Sequence, residues 1–239
     1  MQEHVDNILI KLYNLIKRKP TMPKEETIVK TASKANTAVY VTKFPFCLRD
    51  DKIVPPERAE EIENCSNTKV KAQKYYAWKL LEMALLHSFG LRMENLDLRR
   101  GKSGKWECAK CYFSLSHSGD FVAVAVSEKL VGVDIEKQDK ARFTDALADK
   151  ILTECEAAAI NRLDEEERKT ALNVIWTKKE TIFKLEGGKA FQPKQIETSK
   201  YSTRTKTLSC GTASYIITVA SEDADKATYY CDGVEITDL

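Results

Sequence analysis

Residues 112–137 constrain this chain most: Tyr-Phe-Ser-Leu-Ser-His-Ser-Gly-Asp-Phe-Val-Ala-Val-Ala-Val-Ser-Glu-Lys-Leu-Val-Gly-Val-Asp-Ile-Glu-Lys. Short β-branched and aromatic runs are broken by Ser-His-Ser-Gly-Asp and Ser-Glu-Lys turns, a pattern that predicts three strands in an antiparallel meander. In the third strand, alternation sends Val131, Val133 and Ile135 to one face and Gly132, Asp134 and Glu136 to the other. Two carboxylates side by side repel unless a cation lies between them, and hard oxygen ligands suit Mg²⁺. A strand face carrying two solvated acids fits the same spacing equally well. The glycine before the acids is read as room for a phosphate group to approach the backbone.

Around this stretch the chain mixes helices and strands without regular βαβ alternation, which predicts an α+β fold. Ala38–Val41 reads as a strand. Residues 70–89 read as a helix with a Leu80, Leu81, Ala84, Leu85 stripe closed by Gly90. A further helix carries Leu172, Ile175, Trp176, Ile182 and Phe183 on its buried stripe, with Gly187-Gly188 ending it. On its edge Glu180 and Lys184 stand four residues apart, the spacing of an ordinary surface ion pair. Trp176 is expected to serve packing alone. Thr153 and Glu156 have the spacing of a capping box.

Before this body, Val5, Ile8, Leu9, Leu12, Leu15 and Ile16 recur at helical spacing until Pro20. An amphipathic helix docked on the protein's own core is expected there, followed by a polar linker over 21–36. The 239 residues carry 38 Lys and Arg against 36 Asp and Glu, so no whole-molecule field favours nucleic acid. No apolar run approaches the roughly 20 residues that span a bilayer, and the start lacks an apolar leader core, so a cytoplasmic protein is expected. The seven cysteines are irregularly placed, as suits reduced thiols. Cys108-x-x-Cys111 lacks the second knuckle that a structural zinc site wants.

Taken together, Ser116-His117-Ser118, Gly132-Val133-Asp134-Ile135-Glu136 and Trp176-Thr177-Lys178-Lys179-Glu180-Thr181-Ile182-Phe183-Lys184 are a specific set. In order and separation they resemble the hallmarks of the 4′-phosphopantetheinyl transferases of the surfactin-synthetase-activating type. The resemblance is clear over roughly residues 100–188. It implies transfer of phosphopantetheine from coenzyme A to a serine of an acyl-, peptidyl- or polyketide-carrier protein, releasing adenosine 3′,5′-bisphosphate, the reaction of a holo-acyl-carrier-protein synthase. It further implies two similar α/β halves related by a pseudo-twofold, here 37–128 and 129–239 after an N-terminal segment 1–36, with coenzyme A in the cleft between them and a monomer as the working unit.

Residue by residue, the resemblance makes Asp134, Glu136 and Glu180 ligands of Mg²⁺, with Mn²⁺ an acceptable substitute. Glu180 is also the group expected to receive the carrier serine's proton. A metal-bound carboxylate is a weak base, so a metal-bound water is the alternative relay. Lys184 matches the lysine beside the pyrophosphate and, with Glu180 and His117, completes the catalytic set. Ser116, His117, Asp134 and Lys184 are implied around the coenzyme A phosphates. Lys102 belongs to a Gly-Lys element where Ser103 replaces proline. Arg58 follows Pro56-Glu57, with Glu61 where a second base is often found, and Lys74 stands in place of an arginine. Two other classes share parts of this pattern: a noncatalytic coenzyme A or carrier-binding protein of the same fold, and a magnesium phosphohydrolase that accepts water.

Overall fold

The computed structural model describes residues 37–45, 48, 52–138, 144–231 and 234–239. The N-terminal helix and linker expected over 1–36 lie outside the described residues. The first sheet is built on β1 (Thr37–Lys43), which lies between β5 (Phe121–Ser127) and β9 (Thr228–Cys231), with β4 (Tyr112–Ser118) beyond β5. Pairing is antiparallel throughout except for β1 with β9. The second sheet orders β10 (Glu235–Asp238), β7 (Thr203–Cys210), β8 (Ala213–Ala220) and β6 (Gly132–Lys137), all antiparallel. A two-stranded ribbon, β2 (Leu98–Arg100) with β3 (Trp106–Cys108), projects beside the first sheet.

β5 is buried on both faces, and its alternation divides the interior. Val122, Val124 and Val126 pack with Trp78, Leu81 and Leu85 of the long helix α2 (Thr68–Phe89), which follows the short α1 (Pro56–Glu63). Phe121, Ala123 and Ala125 face a different core, shared with Val133 and Ile135 of β6 and Ile217 and Val219 of β8. The first sheet therefore has α2 on one face and the second sheet's core on the other. α2 starts where the Asn67 side chain accepts the Val70 N–H and stops at Gly90, whose φ of 66° is the left-handed turn that glycine favours.

Helices α3 (Asp145–Ile151) and α4 (Glu154–Ile160) lead into α5 (Glu165–Glu186), which packs on β6 and β8. Asp164 and Glu167 form a capping box at its start, and Gly187, at φ 64°, closes it. The capping box expected at Thr153 and Glu156 is present. Glu156 also pairs with Lys179, a fully buried lysine whose Nζ donates to the carbonyls of Ile151 and Pro193, so α3, α4, α5 and the loop after α5 meet at one ammonium.

The mixed helix-and-sheet reading agrees with these elements, but two local expectations change. β4 and β5 form the predicted hairpin, whereas β6 leaves the meander and joins the second sheet against β8. The close approach permitted by Gly132 is made by α5 rather than by a phosphate group. A Cβ there would stand 2.1 Å from the carbonyl oxygen of Thr181 and 2.9 Å from the Leu185 nitrogen. Only a residue without a side chain lets the helix backbone lie this near the strand.

Candidate active site and metal centre

β6 is the edge strand of its sheet, so the N–H groups pointing away from β8 lack a ladder partner. Serines of β4 supply the acceptors. The hydroxyl oxygens of Ser114, Ser116 and Ser118 accept from the N–H groups of Val133, Ile135 and Lys137 at 3.1, 3.3 and 3.0 Å. The period of two on β4 matches the period of two on β6, which makes the Ser-x-Ser-x-Ser run a side-chain ladder between the sheets. Two of these hydroxyls also donate: Ser116 to Asp134 Oδ1 at 2.7 Å, and Ser118 to Glu136 Oε2 at 3.0 Å. The ladder thus fixes the strand backbone and aims its carboxylates.

From the other side, α5 presents Trp176, Glu180 and Lys184 at four-residue intervals, about 6 Å apart along the axis. Asp134 and Glu136 are about 6.6 Å apart along their strand, a comparable repeat. Trp176 Nε1 donates to Glu136 Oε1 at 3.2 Å, and Lys184 Nζ donates to Asp134 Oδ1 at 2.6 Å and to Ser116 Oγ at 3.0 Å. Glu180 lies between those two residues on the helix. Lys184 is therefore bonded to a strand carboxylate across the interface, which takes it beyond the role of a helix-surface partner of Glu180.

Asp134, Glu136 and Glu180 come together so that one oxygen of each lies within 4.8 Å of the others. Ligands held at about 2.1 Å from Mg²⁺ stand about 3 to 4.2 Å apart, so a small inward rotation of these side chains suffices. Asp134 is 2% exposed, and its Oδ2 has no hydrogen-bond partner among the described residues. An ionised oxygen left bare in a buried position is costly, and a divalent cation at this point would remove the cost. The donor set, all hard oxygens, fits Mg²⁺ or Mn²⁺.

The remaining predicted residues divide. His117 lies on the face of β4 opposite the serines and reaches solvent. The protein mass around it lowers its pKa, as do the positive charges of Lys184 and Lys74, while Asp134 acts in the opposite sense. The lowered pKa favours the uncharged imidazole, which offers one donor and one acceptor. Lys74 is half-buried on α2, and Lys102 is exposed on the turn between β2 and β3. Arg58 is turned inward: its guanidinium sits 4.9 Å over the Trp78 ring and donates to Glu61 at 2.9 Å. Glu61 also takes Arg100, so the acid that stands in place of a base gathers two arginines.

Sequence reasoning missed three contributors, namely Trp176 as a hydrogen-bond donor to Glu136, Ser118 as its second donor, and Ser114 as the first rung of the ladder. The signal for the serines was present in their period of two. For Trp176 the signal was its place four residues before Glu180, on the face that holds the acids.

Residues 130–231 match the model of the 4′-phosphopantetheinyl transferase superfamily. That stretch includes Asp134, Glu136, Trp176, Glu180 and Lys184; the serine ladder lies before it. The chain is 34% identical over 101 residues to the 4′-phosphopantetheinyl transferase AcpT of Salmonella typhimurium, covering 42% of this chain and 53% of that protein. To AcpT of Escherichia coli strain K12 it is 32% identical over 126 residues, covering 52% and 65% respectively. To AcpT of Escherichia coli O157:H7 the identity is 29% over the same length and the same shares. The chain thus spans between about half and two thirds of the length of these curated relatives. At the level of the superfamily, and not of the surfactin-synthetase-activating type, the resemblance read from the motifs is borne out by these matches: the chain is similar to the 4′-phosphopantetheinyl transferase superfamily, with the family match falling on residues 130–231.

Proposed function

We propose that this chain transfers 4′-phosphopantetheine from coenzyme A to a serine of an apo-carrier protein, as a monomer in the cytoplasm, with its halves 37–128 and 129–239 related by a pseudo-twofold and coenzyme A held between them. The observation that carries this reading is the convergence of Asp134, Glu136 and Glu180, one oxygen of each within 4.8 Å of the others, with Asp134 Oδ2 unpartnered among the described residues and Lys184 bonded to Asp134 Oδ1. Asp134, Glu136 and Glu180 would hold Mg²⁺, which when bound neutralises pyrophosphate oxygens and so stabilises charge as the phosphoryl group moves.

The chain's own groups then have defined tasks. Lys184 uses two of its three N–H donors on Asp134 and Ser116, leaving the third for a phosphate oxygen. The carrier serine oxygen bonds to the β-phosphorus, the bond to the α-phosphate bridging oxygen breaks, and adenosine 3′,5′-bisphosphate leaves with that electron pair. The serine proton passes to Glu180. Lys184 faces the charge that develops on the leaving bisphosphate, where a fixed cation contributes most. Neutral His117 donates to a coenzyme A phosphate, and Lys74 and Lys102 add charge for the nucleotide end. Arg58 bonds Glu61 through Nη1, which engages one of its five guanidinium N–H donors.

Intact mass of a panel of apo-carriers, incubated with coenzyme A and Mg²⁺, tests the reading. A gain of one phosphopantetheine on at least one carrier is expected. Coenzyme A hydrolysed with every carrier unmodified would instead support the phosphohydrolase class, and coenzyme A bound but unchanged would support the noncatalytic one.

A further inference from the structure

A half-buried lysine, Lys105, also stands outside this machinery. Lys105 ends the turn between β2 and β3, and its Nζ donates to the carbonyl of Lys184 at 2.8 Å and to that of Val131 at 3.4 Å. The first carbonyl belongs to the last turn of α5, where the helix has no backbone donors of its own to offer. The second immediately precedes Gly132, where β6 begins. We propose that Lys105 is a positioning residue, whose ammonium ties the end of α5 to the start of β6 and thereby sets Lys184 against Asp134.

The turn that carries Lys105 is built to hold it. Gly101 N–H donates to the Lys105 carbonyl at 2.8 Å, Gly104 N–H to the Gly101 carbonyl at 2.9 Å, and the Arg100 guanidinium bonds the Gly104 carbonyl and Glu61. The turn also seats against the helix end, since Ser103 Oγ lies 3.5 Å from where a Cβ on Gly187 would stand. A residue of the ribbon therefore reaches both elements that carry the carboxylates. Burial, the largest influence, brings the Lys105 pKa down to about 8; Glu107 favours its protonated form and Lys184 opposes it. An ammonium kept in so unfavourable a place is consistent with a load on the two carbonyls it meets.

The inference rests on the transferase reading, and its test separates the two. Amide exchange, coenzyme A Kd by calorimetry and single-turnover transfer are measured for the full chain and for Lys105→Met. The clasp predicts exchange at residues 185–188 faster by roughly tenfold with the rest of α5 unchanged, and a single-turnover rate lower by roughly tenfold with Kd changed by less than about threefold. Lys105→Gln, which retains a donor without the charge, serves if the methionine variant does not fold, and is expected to fall between the two. Unchanged exchange at 185–188, or a rate loss matched by an equal rise in Kd, would overturn the clasp. A wild-type chain that modifies no carrier would overturn the transferase reading, and the exchange comparison would still decide the clasp.

Discussion

At the level of single residues, three of the four oxygens on the two strand carboxylates are engaged. Glu136 takes Trp176 on one oxygen and Ser118 on the other, while Asp134 takes Ser116 and Lys184 on Oδ1 and nothing among the described residues on Oδ2. Groups that orient metal ligands commonly contribute ten- to a hundredfold in metal affinity. Trp176→Phe keeps an aromatic ring against Phe191 and removes only the indole N–H. It is expected to raise the Mg²⁺ concentration for half-maximal transfer by about tenfold, with little change in melting temperature. A Mg²⁺ titration of wild type and variant checks this. Lys184→Met keeps the stem and removes the charge. We expect the single-turnover rate to fall by at least roughly a hundredfold, the scale for one preorganised donor, with a much smaller change in coenzyme A Kd. A large rise in Kd at an unchanged rate would reduce Lys184 to a binding residue.

Among the elements, the decisive contact is between α5 and β6, and Gly132 is the residue that permits it. Gly132→Ala would drive a Cβ into the Thr181 carbonyl at 2.1 Å, and backbone cannot rotate aside as a side chain can. Overpacking of this kind costs about 1–3 kcal/mol, so a lower midpoint of chemical denaturation and loss of transfer are expected together. A variant with wild-type stability and activity would show that the helix can lift without consequence. The alternation of the two strand acids, the four-residue spacing of Glu180 and Lys184 and the C-terminal ends of α2 and α5 were legible in the sequence because each rests on local spacing or on a glycine at a helix end. The departure of β6 from the meander was not legible. Its partner, β8, lies some 80 residues later in the chain, and alternation reports which face a residue takes but not which strand lies beside it. The same limit hid the serine ladder, whose partners are backbone groups of a strand in the other sheet.

Over the whole molecule, two sheets share a core between them, and the site forms where β4 of the first meets β6 of the second. The first sheet also borrows β9 from near the C-terminal end, a pairing that no local pattern announces. Lys105, reaching from the ribbon to α5, adds a pH dependence to this assembly. Its pKa is lowered from 10.5 in the unfolded chain to about 8 in the fold, so between those values the unfolded chain binds more protons. Folding stability from this group therefore rises as pH increases from about 8 towards 10.5, and the burial penalty is felt in full below 8. Denaturant unfolding at pH 7.5 and 9.5 is expected to show wild type gaining relative to Lys105→Met at the higher pH; a constant difference would remove the assigned shift. The account depends most on the three carboxylates acting as one metal site. The most direct measurement is phosphopantetheine transfer to apo-carrier, followed by intact mass, for wild type and Asp134→Asn in chelator and across a Mg²⁺ and Mn²⁺ titration. The account predicts transfer by wild type that disappears in chelator, returns with either ion, and is nearly absent in Asp134→Asn at every metal concentration, whereas chelator-resistant transfer or a fully active Asp134→Asn would contradict it.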